Sequence, residues 1–230
     1  MRKGIQKIFS EIAETYELVN HVLTLGLDIV WRKKAARQAS RVKGFLWLDV
    51  CSGTGEMAFN LSRQADEKIK IVSVDFCYPM IAKAQQKRKT PNLSFALAES
   101  GLLPFADATF DLVVISFATR NIYSSKSALI AHLKEFYRVL KPGGYFINLE
   151  TSQPPLRIVQ KLFHLYVKLV VQPLGFFLSG SKPAYEYLAY TISRFFSPEK
   201  FSSILQEAGF ARVSHRSLFL GVSAIHTAVK

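Results

Sequence analysis

Cysteine is almost absent: the 230-residue chain contains two, Cys51 and Cys77. They make neither a disulfide framework nor a thiolate metal cluster, and the five histidines show no ligand spacing, so no metal site is expected. No signal-peptide pattern opens the chain, and a reducing cytoplasm is the expected compartment. Internal repeats, low-complexity segments and an obvious linker are also missing, which excludes a repeat array and leaves one domain, 1–230, with a core of ordinary size. A transmembrane span is not expected. Three cations interrupt the greasiest stretch, "LRIVQKLFHLYVKLVVQPLGFFL", and Pro173 should end it early.

Acids are scarce too, 17 against 30 Lys and Arg, giving a formal charge of +13. The imbalance sits in the flanks. Residues 1–44 carry nine bases against four acids and residues 151–230 nine against three, whereas 45–150 carry twelve against ten. Basic flanks around a balanced middle suit nucleic acid, anionic lipid or an acidic substrate, or simply a soluble basic surface.

Helical spacing of Ile8, Ile12, Tyr16 and Val19 predicts one helix over "IFSEIAETYELVNHVLTLG", and "DIVWRKKAARQA" a second, beginning near Asp28. Then "FLWLDV", "IKIVSVD", "NLSFAL", "FDLVVISF" and "YFINLE" read as short buried strands. Helices over 78–89 and 126–140 and a "KPGG" turn fall between them. Alternation of this kind predicts a parallel sheet covered on both faces. A last helix with Ser197 as N-cap, Pro198 at its first position and Gly209 beyond its end feeds a terminal antiparallel pair, "RVSHRSLFL" and "VSAIHTAV". Residues 151–196 interrupt the pattern. There Arg157, Lys161, His164 and Lys168 form one polar stripe on an otherwise apolar helix, which fits an interfacial helix, a lid over an apolar pocket, or an ordinary core helix with a solvated stripe.

The chemistry concentrates in "LDVCSGTGE". Gly53, Gly55 and Ala58 satisfy Gly-x-Gly-x-x-Ala at a strand end, and Asp75 ends the next strand, as in a dinucleotide site. Asp49 before the loop and Glu56 inside the helix argue against a pyrophosphate, which they would repel. They suit a cationic ligand such as S-adenosylmethionine, with Asp75 accepting from the ribose hydroxyls and Glu99 from the adenine amino group. Cys51 and Cys77, which follow neighbouring strand ends, read as small packing groups.

Further motifs sharpen this. "YELVNHVLTLGLDIVW" resembles the signature Tyr-Asp-x-Met-Asn-x-x-hydrophobic-Ser-x-x-x-His-x-x-Trp: Tyr16, Asn20 and Trp31 match, while Glu17, Val19, Thr24 and Asp28 depart from it. "SFATRN", from Ser116 to Asn121, resembles Ser-Phe-Gly-x-Arg-Asn, with Ala118 in place of glycine. "RVLKPGGYFINLETS" fits the second signature throughout, and "AYEYLAYTISRFFSP" resembles a third segment more loosely. Across essentially its whole length the chain thus resembles the ubiquinone/menaquinone biosynthesis C-methyltransferase family of class I S-adenosylmethionine-dependent enzymes.

The resemblance implies a Rossmann-like α/β fold, with a mostly parallel seven-stranded sheet, terminal antiparallel strands and helices on both faces. Residues 1–44 would form the substrate side, 45–150 the cofactor-binding core, 151–196 a lid or membrane-facing insertion, and 197–230 the terminal helix and strand pair. It implies S-adenosylmethionine as cofactor, held by Asp49, Gly53, Thr54, Gly55, Asp75, Glu99, Ser100 and Ser116. Its reaction is methylation of a ring carbon of a polyprenylated quinol. Arg120 would stabilise the phenolate, or otherwise make a salt bridge to a surface acid; Asn121 would hold a ring oxygen. Tyr16 would touch cofactor or quinol, or only pack. With Asp28 in place of histidine, a proton carrier is missing. Demethylmenaquinol is favoured as substrate by analogy, against 2-methoxy-6-polyprenyl-1,4-benzoquinol or another lipophilic acceptor such as a sterol. An anionic membrane surface is the expected partner and nucleic acid is not; a homodimer stays open. His132 reads as structural, His164 as solvated, and His215 and His226 as without role.

Overall fold

The apolar runs at the centre of the sheet are continuous because those strands are buried on both faces, whereas the two edge strands, 93–97 and 211–218, are largely exposed. In a computed structural model, residues 2–230 are described, with side chains from residue 4 onward, so Arg2 and Lys3 of the basic flank lie outside the described side chains. Three helices open the chain: α1 (Arg2–Ile12), α2 (Tyr16–Leu23) and α3 (Leu27–Ala39). One helix was expected where α1 and α2 stand. Thr15 divides them, its backbone N–H and hydroxyl both bonding the Ile12 carbonyl at 3.1 and 3.4 Å, in competition with a continuing helix.

The sheet follows as β1 (Leu46–Val50), α4 (Glu56–Ser62), β2 (Lys70–Asp75), α5 (Tyr78–Gln86), β3 (Leu93–Leu97), β4 (Phe110–Ser116), a short α6 (Thr119–Ile122), α7 (Lys126–Val139) and β5 (Leu140–Thr151). The "KPGG" turn proves to be a bulge within β5: Phe110 pairs with Leu140 and Leu112 already with Tyr145, so residues 141–144 loop out between them. Lys230 closes that bulge, its N–H bonding the Gly144 carbonyl and its carbonyl the Gly143 N–H.

After β5 come α8 (Arg157–Tyr166), a π-helical turn (Val167–Val171), α9 (Gln172–Ser179), α10 (Lys182–Arg194), α11 (Pro198–Glu207), β6 (Ala211–Leu218) and β7 (Ser223–Val229). Pro173 does not end its helix. The missing N–H falls just past the widened π turn, and the helix runs on to Ser179. Ser197 caps α11 as expected, accepting from the Lys200 N–H at 3.3 Å.

Seven strands form one sheet in the order β3-β2-β1-β4-β5-β7-β6; the first five are parallel and β7 is antiparallel to both neighbours. Successive residues of β4 enter opposite cores. Val113 and Ile115 pack with Phe136, Phe146 and Phe201, while Leu112 and Val114 pack with Trp47, Leu61 and Ala35. Each such side chain contributes about 1.5–3 kcal/mol by burial. A third apolar cluster joins the N-terminal helices to the 151–196 insertion through Val19, Leu23, Val167, Val171 and Tyr185. The strand order turns back between β1 and β4, which opens a crevice at their carboxyl ends.

Candidate functional site

The crevice begins where β1 runs into the glycine loop. Cys51 takes a left-handed φ of 54°, Gly53 one of 55° and Gly55 one of 85°. Gly55 is fixed twice over: a Cβ there would also meet Phe59, Ala84 and Phe95 at 3.0–3.1 Å. At Gly53 a Cβ would meet nothing within 4 Å, because this position faces open space. The Gly53 N–H bonds Asp75 Oδ2 and the Cys77 N–H bonds Asp75 Oδ1, both at 2.9 Å, so the β2 carboxylate is held by backbone from both sides.

Asp49, Gly53, Thr54, Asp75, Glu99, Ser100, Ser116 and Asn121 all border one cavity of about 370 Å³. Gly55 stands behind it as the N-cap of α4. Several buried oxygens on the wall have no hydrogen-bond partner: both carboxylate oxygens of Asp49 and the hydroxyls of Ser52 and Ser116. The Ala58 N–H faces Asp49 outside hydrogen-bonding geometry. Burial first, and then the neighbouring Asp75, push the Asp49 carboxyl up to about 8. Burial raises Asp75 too, against the backbone N–H groups that oppose it. Orphaned buried acceptors next to carboxylates suit a ligand rich in donors and carrying positive charge.

His132, read as structural, borders this cavity: its Nδ1 lies 3.1 Å from the Ser100 hydroxyl and its ring packs over Gly101. Cys51 borders the cavity, whereas Cys77 is buried beside the Ser10 hydroxyl.

A second cavity of about 400 Å³ lies against the first and is lined almost wholly by carbon. Helices α2 and α3 form one side. The inner face of α8 and the π turn, with Phe163, Tyr166, Val167 and Val171, forms the other. Tyr16, Arg32 and Phe117 border both cavities and so make the partition. Tyr16 therefore both packs, edge-on to Phe9 at 5.9 Å, and faces the two spaces; burial raises its hydroxyl pKa. Phe117, at a left-handed φ of 54°, stacks beneath Arg32 at 5.0 Å.

Arg120 and Asn121 diverge across this partition. Asn121 borders the polar cavity and Arg120 the apolar one. The partner of Arg120 is no surface acid: its Nη1 lies 2.5 Å from Oε1 of Glu150, which is 1% exposed at the end of β5, and also bonds the Phe117 carbonyl at 3.0 Å. Its Nε is buried without a partner.

A further ionic cluster underlies the partition. Asp28, 2% exposed, accepts from Arg32 Nη1 at 2.5 Å and from the Thr24 hydroxyl at 2.7 Å, and lies 2.9 Å from His21 Nδ1. Arg32 and His21 also reach Glu56, at 3.1 and 3.2 Å. Burial works to raise Asp28, but Arg32, Thr24 and His21 leave its carboxyl below the ordinary range. Sequence reasoning passed over Arg32, Glu150, Phe117 and His21. The four-residue step from Asp28 to Arg32 was readable as a helical ion pair; the others meet only through the fold.

The chain is similar to known proteins along its whole length. The profile of the ubiE/COQ5 methyltransferase family matches residues 1–230. The "Ubiquinone/menaquinone biosynthesis C-methyltransferase UbiE" of Rickettsia felis is 35% identical, over 98% of this chain and 92% of its own. The "Demethylmenaquinone methyltransferase" of Beutenbergia cavernae is 36% identical, over 97% and 89%. Among solved structures, an S-adenosylmethionine-dependent methyltransferase from Thermotoga maritima matches with a TM-score of 0.65 at 19% identity, covering 97% of this chain and 99% of its own. One from Aquifex aeolicus matches with a TM-score of 0.60 at 21% identity, covering 86% and 88%. The Rossmann-like fold is thereby shared, S-adenosylmethionine is implied as methyl donor, and the chain belongs to the ubiE/COQ5 methyltransferase family.

Proposed function

We propose that the protein methylates a ring carbon of a polyprenylated quinol, converting demethylmenaquinol to menaquinol. The observation that carries this reading is the pairing of two cavities across one wall: a polar one with orphaned acceptors, and an almost wholly apolar one holding a buried arginine. The names of the Beutenbergia and Rickettsia relatives support quinone chemistry, and the 2-methoxy-6-polyprenyl-1,4-benzoquinol of ubiquinone biosynthesis fits them as well.

Bound S-adenosylmethionine supplies an electrophilic methyl group on a sulfonium. Asp49 is the acceptor for its positive end, Asp75 for the ribose hydroxyls, and Glu99 with Ser100 for the adenine end, while Thr54 and Ser116 complete the wall. Gly53 leaves room for close approach. The quinol ring lies against Phe117 and Tyr16. Loss of its hydroxyl proton makes the ring carbon nucleophilic. Arg120, its guanidinium oriented by Glu150, stabilises the resulting oxyanion, and Asn121 holds a ring oxygen. The new carbon–carbon bond forms as the carbon–sulfur bond breaks, and the ring C–H proton leaves as aromaticity returns.

The prenyl tail leaves the apolar cavity under α8, which acts as both lid and membrane-facing element. None of its residues is buried, and Ile158, Leu162 and Leu165, with Leu169 of the π turn, are each half or more exposed. That argues against a core helix. The stretch Arg157–Ser179 is long and apolar enough to cross a membrane by length and composition. Its cavity-lining inner face and the cations Arg157, Lys161 and Lys168 favour lying at an anionic surface.

Incubation with labelled S-adenosylmethionine and a panel of demethylmenaquinol, benzoquinol, sterol and polyketide acceptors tests the reading. Label is expected on the naphthoquinol ring carbon. Transfer confined to the benzoquinol would move the assignment to ubiquinone biosynthesis, and transfer to neither quinol would overturn it.

A further inference from the structure

The ionic cluster under the partition has a protonation requirement of its own. Both ring nitrogens of His21 face carboxylate oxygens, Asp28 at 2.9 Å and Glu56 at 3.2 Å. A neutral imidazole has one N–H and one lone pair, so one of these contacts would set lone pair against lone pair. Both contacts turn attractive when the imidazole is doubly protonated or when a carboxylate carries the proton, and the one to Asp28 has hydrogen-bond geometry. With Arg32 bonded to Asp28 and 3.1 Å from a Glu56 oxygen, two carboxylates, one guanidinium and one imidazolium sum to zero. The cluster balances only when it holds one proton.

The neighbours leave that balance intact. Glu17 of α2, which acts on Glu56, is paired with Lys87 at the end of α5. Tyr16 faces the cluster from the partition, Asp49 faces Arg32 from β1 with its carboxyl held protonated by burial, and α9, packed on the other side of α2, brings no ionisable side chain. Burial, the largest influence on Glu56, raises its carboxyl against Arg32 and His21, which gives the proton a second seat. His21, Asp28 and Glu56 each offer a ligand atom within 4.8 Å of the others, but the Arg32 guanidinium already bridges the two acids as their cation.

The location gives this proton a use. Glu56 and Arg32 border the polar cavity, Asp28 and Arg32 the apolar one, and the His21 side chain, 29% exposed, opens to solvent. We infer that His21, acting through Glu56 and Asp28, is a proton relay that empties when positive charge enters the polar cavity and refills from the quinol hydroxyl. The inference rests on the methyl-transfer reading above. A cation arriving beside Glu56 raises the cost of the stored proton, which leaves through His21 to solvent. The vacated imidazole takes the quinol O–H proton by way of Asp28, the group that touches both the ring and the apolar cavity. Methyl transfer removes the positive charge, so the proton stays. The ring C–H proton then leaves as the oxygen regains one, and one proton is released per turnover. The imidazole that the family signature carries at position 28 is here supplied from position 21, and Asp28 becomes its partner.

S-adenosylmethionine and S-adenosylhomocysteine differ by one methyl and one positive charge, so the comparison isolates that charge. Proton release on binding, measured calorimetrically in buffers of different ionisation enthalpy, should be close to one proton greater for the sulfonium ligand. The His21 ring nitrogen resonances should move from imidazolium to neutral in that complex only. In His21→Gln both ligands should still bind, the difference in proton release should vanish, kcat should fall by about 10²-fold, and the pH profile of kcat should lose its acid limb. The double variant His21→Gln/Asp28→His, which returns the imidazole to position 28, should recover most of kcat. Equal proton release with both ligands bound, or unmoved His21 resonances, overturns this inference alone. Failure of both ligands to bind overturns the methyl-transfer reading and this inference with it.

Discussion

The two cavities share Tyr16, Arg32 and Phe117 yet are built on opposite principles. The polar one is a set of short loops at strand ends, held by backbone hydrogen bonds to Asp75 and by glycines at left-handed φ, of which Gly55 also admits no side chain, with several acceptors unsatisfied. The apolar one has no such local design. It is the space left between N-terminal helices and an insertion roughly 130 residues later in the chain, and the charges on its wall are ion-paired, Arg120 with Glu150 and Arg32 with Asp28, leaving only Arg120 Nε without a partner. A site awaiting a charged ligand keeps unsatisfied groups; a site awaiting a greasy one keeps its charges satisfied and its walls carbon.

The largest predicted effect attacks the paired charge. Arg120→Ala leaves Glu150 buried without its cation, and unfolding in urea should show a loss of about 3–5 kcal/mol. Glu150→Gln tests the same pair with less damage: kcat should fall while the affinity for S-adenosylmethionine, whose proposed seat is on the other side of the partition, should stay as it was. A weakened cofactor affinity in Glu150→Gln would break the division between the cavities.

Asp49→Asn probes the unsatisfied side, and its effects should run in opposite directions. Losing a charge-assisted contact should weaken S-adenosylmethionine binding by about 10²-fold, equivalent to about 2.7 kcal/mol. The ligand-free protein should gain stability at neutral pH, since an uncompensated buried acid is removed. In the unfolded chain this carboxyl ionises near 3.8, whereas in the fold burial holds it protonated to about 8. Between those values the native state binds the extra proton, so stability is highest below about pH 4 and declines as pH rises toward 8. Urea midpoints across that range should lose much of this slope in the variant.

The contrast also explains what could be read from the sequence. The strand ends were legible because "LDVCSGTGE", Asp75 and "SFATRN" carry their geometry in adjacent residues: a glycine where φ is positive, an acid at the end of an apolar run. The partition was not. Glu150 meets Arg120 only because β4 and β5 are neighbours in the sheet, and His21 meets Asp28 because the chain turns at Gly26, φ 76°, between two helices. His132 shares its helix spacing with Leu133 and Phe136, and that spacing does not reveal that its ring turns toward Ser100 on the cavity wall. Likewise, the periodicity of residues 157–168 could not distinguish a core helix from a lid, since an apolar face looks the same whether protein or solvent covers it.

Gly55→Ala offers a smaller, purely steric test on the polar side. A left-handed φ of 85° and three contacts near 3.0 Å should cost about 1–3 kcal/mol of stability and misplace the loop, weakening S-adenosylmethionine binding. A Gly53→Ala variant meets strain without the clash, so the difference between the two measures how closely α4 and α5 clasp the turn.

The smallest effect belongs to the outer face of the apolar side. Each cation near an anionic surface contributes about 1 kcal/mol, so Lys161→Gln should weaken partition onto vesicles containing phosphatidylglycerol by about fivefold, with Arg157→Gln and Lys168→Gln alike. These side chains are exposed on α8 and the π turn and border neither cavity. Turnover of a short-tailed, water-soluble quinol should therefore be unchanged, whereas turnover of a long-tailed quinol presented in vesicles should fall with the partition. Leu162→Ser and Leu169→Ser should lower partition in proportion to the apolar area removed, at about 25 cal/mol per Å² and independently of salt, whereas the charge variants should matter less as ionic strength rises. If the three charge variants together leave both vesicle binding and long-tail turnover untouched, the basic stripe is an ordinary solvated face and the tail reaches the apolar cavity by another path.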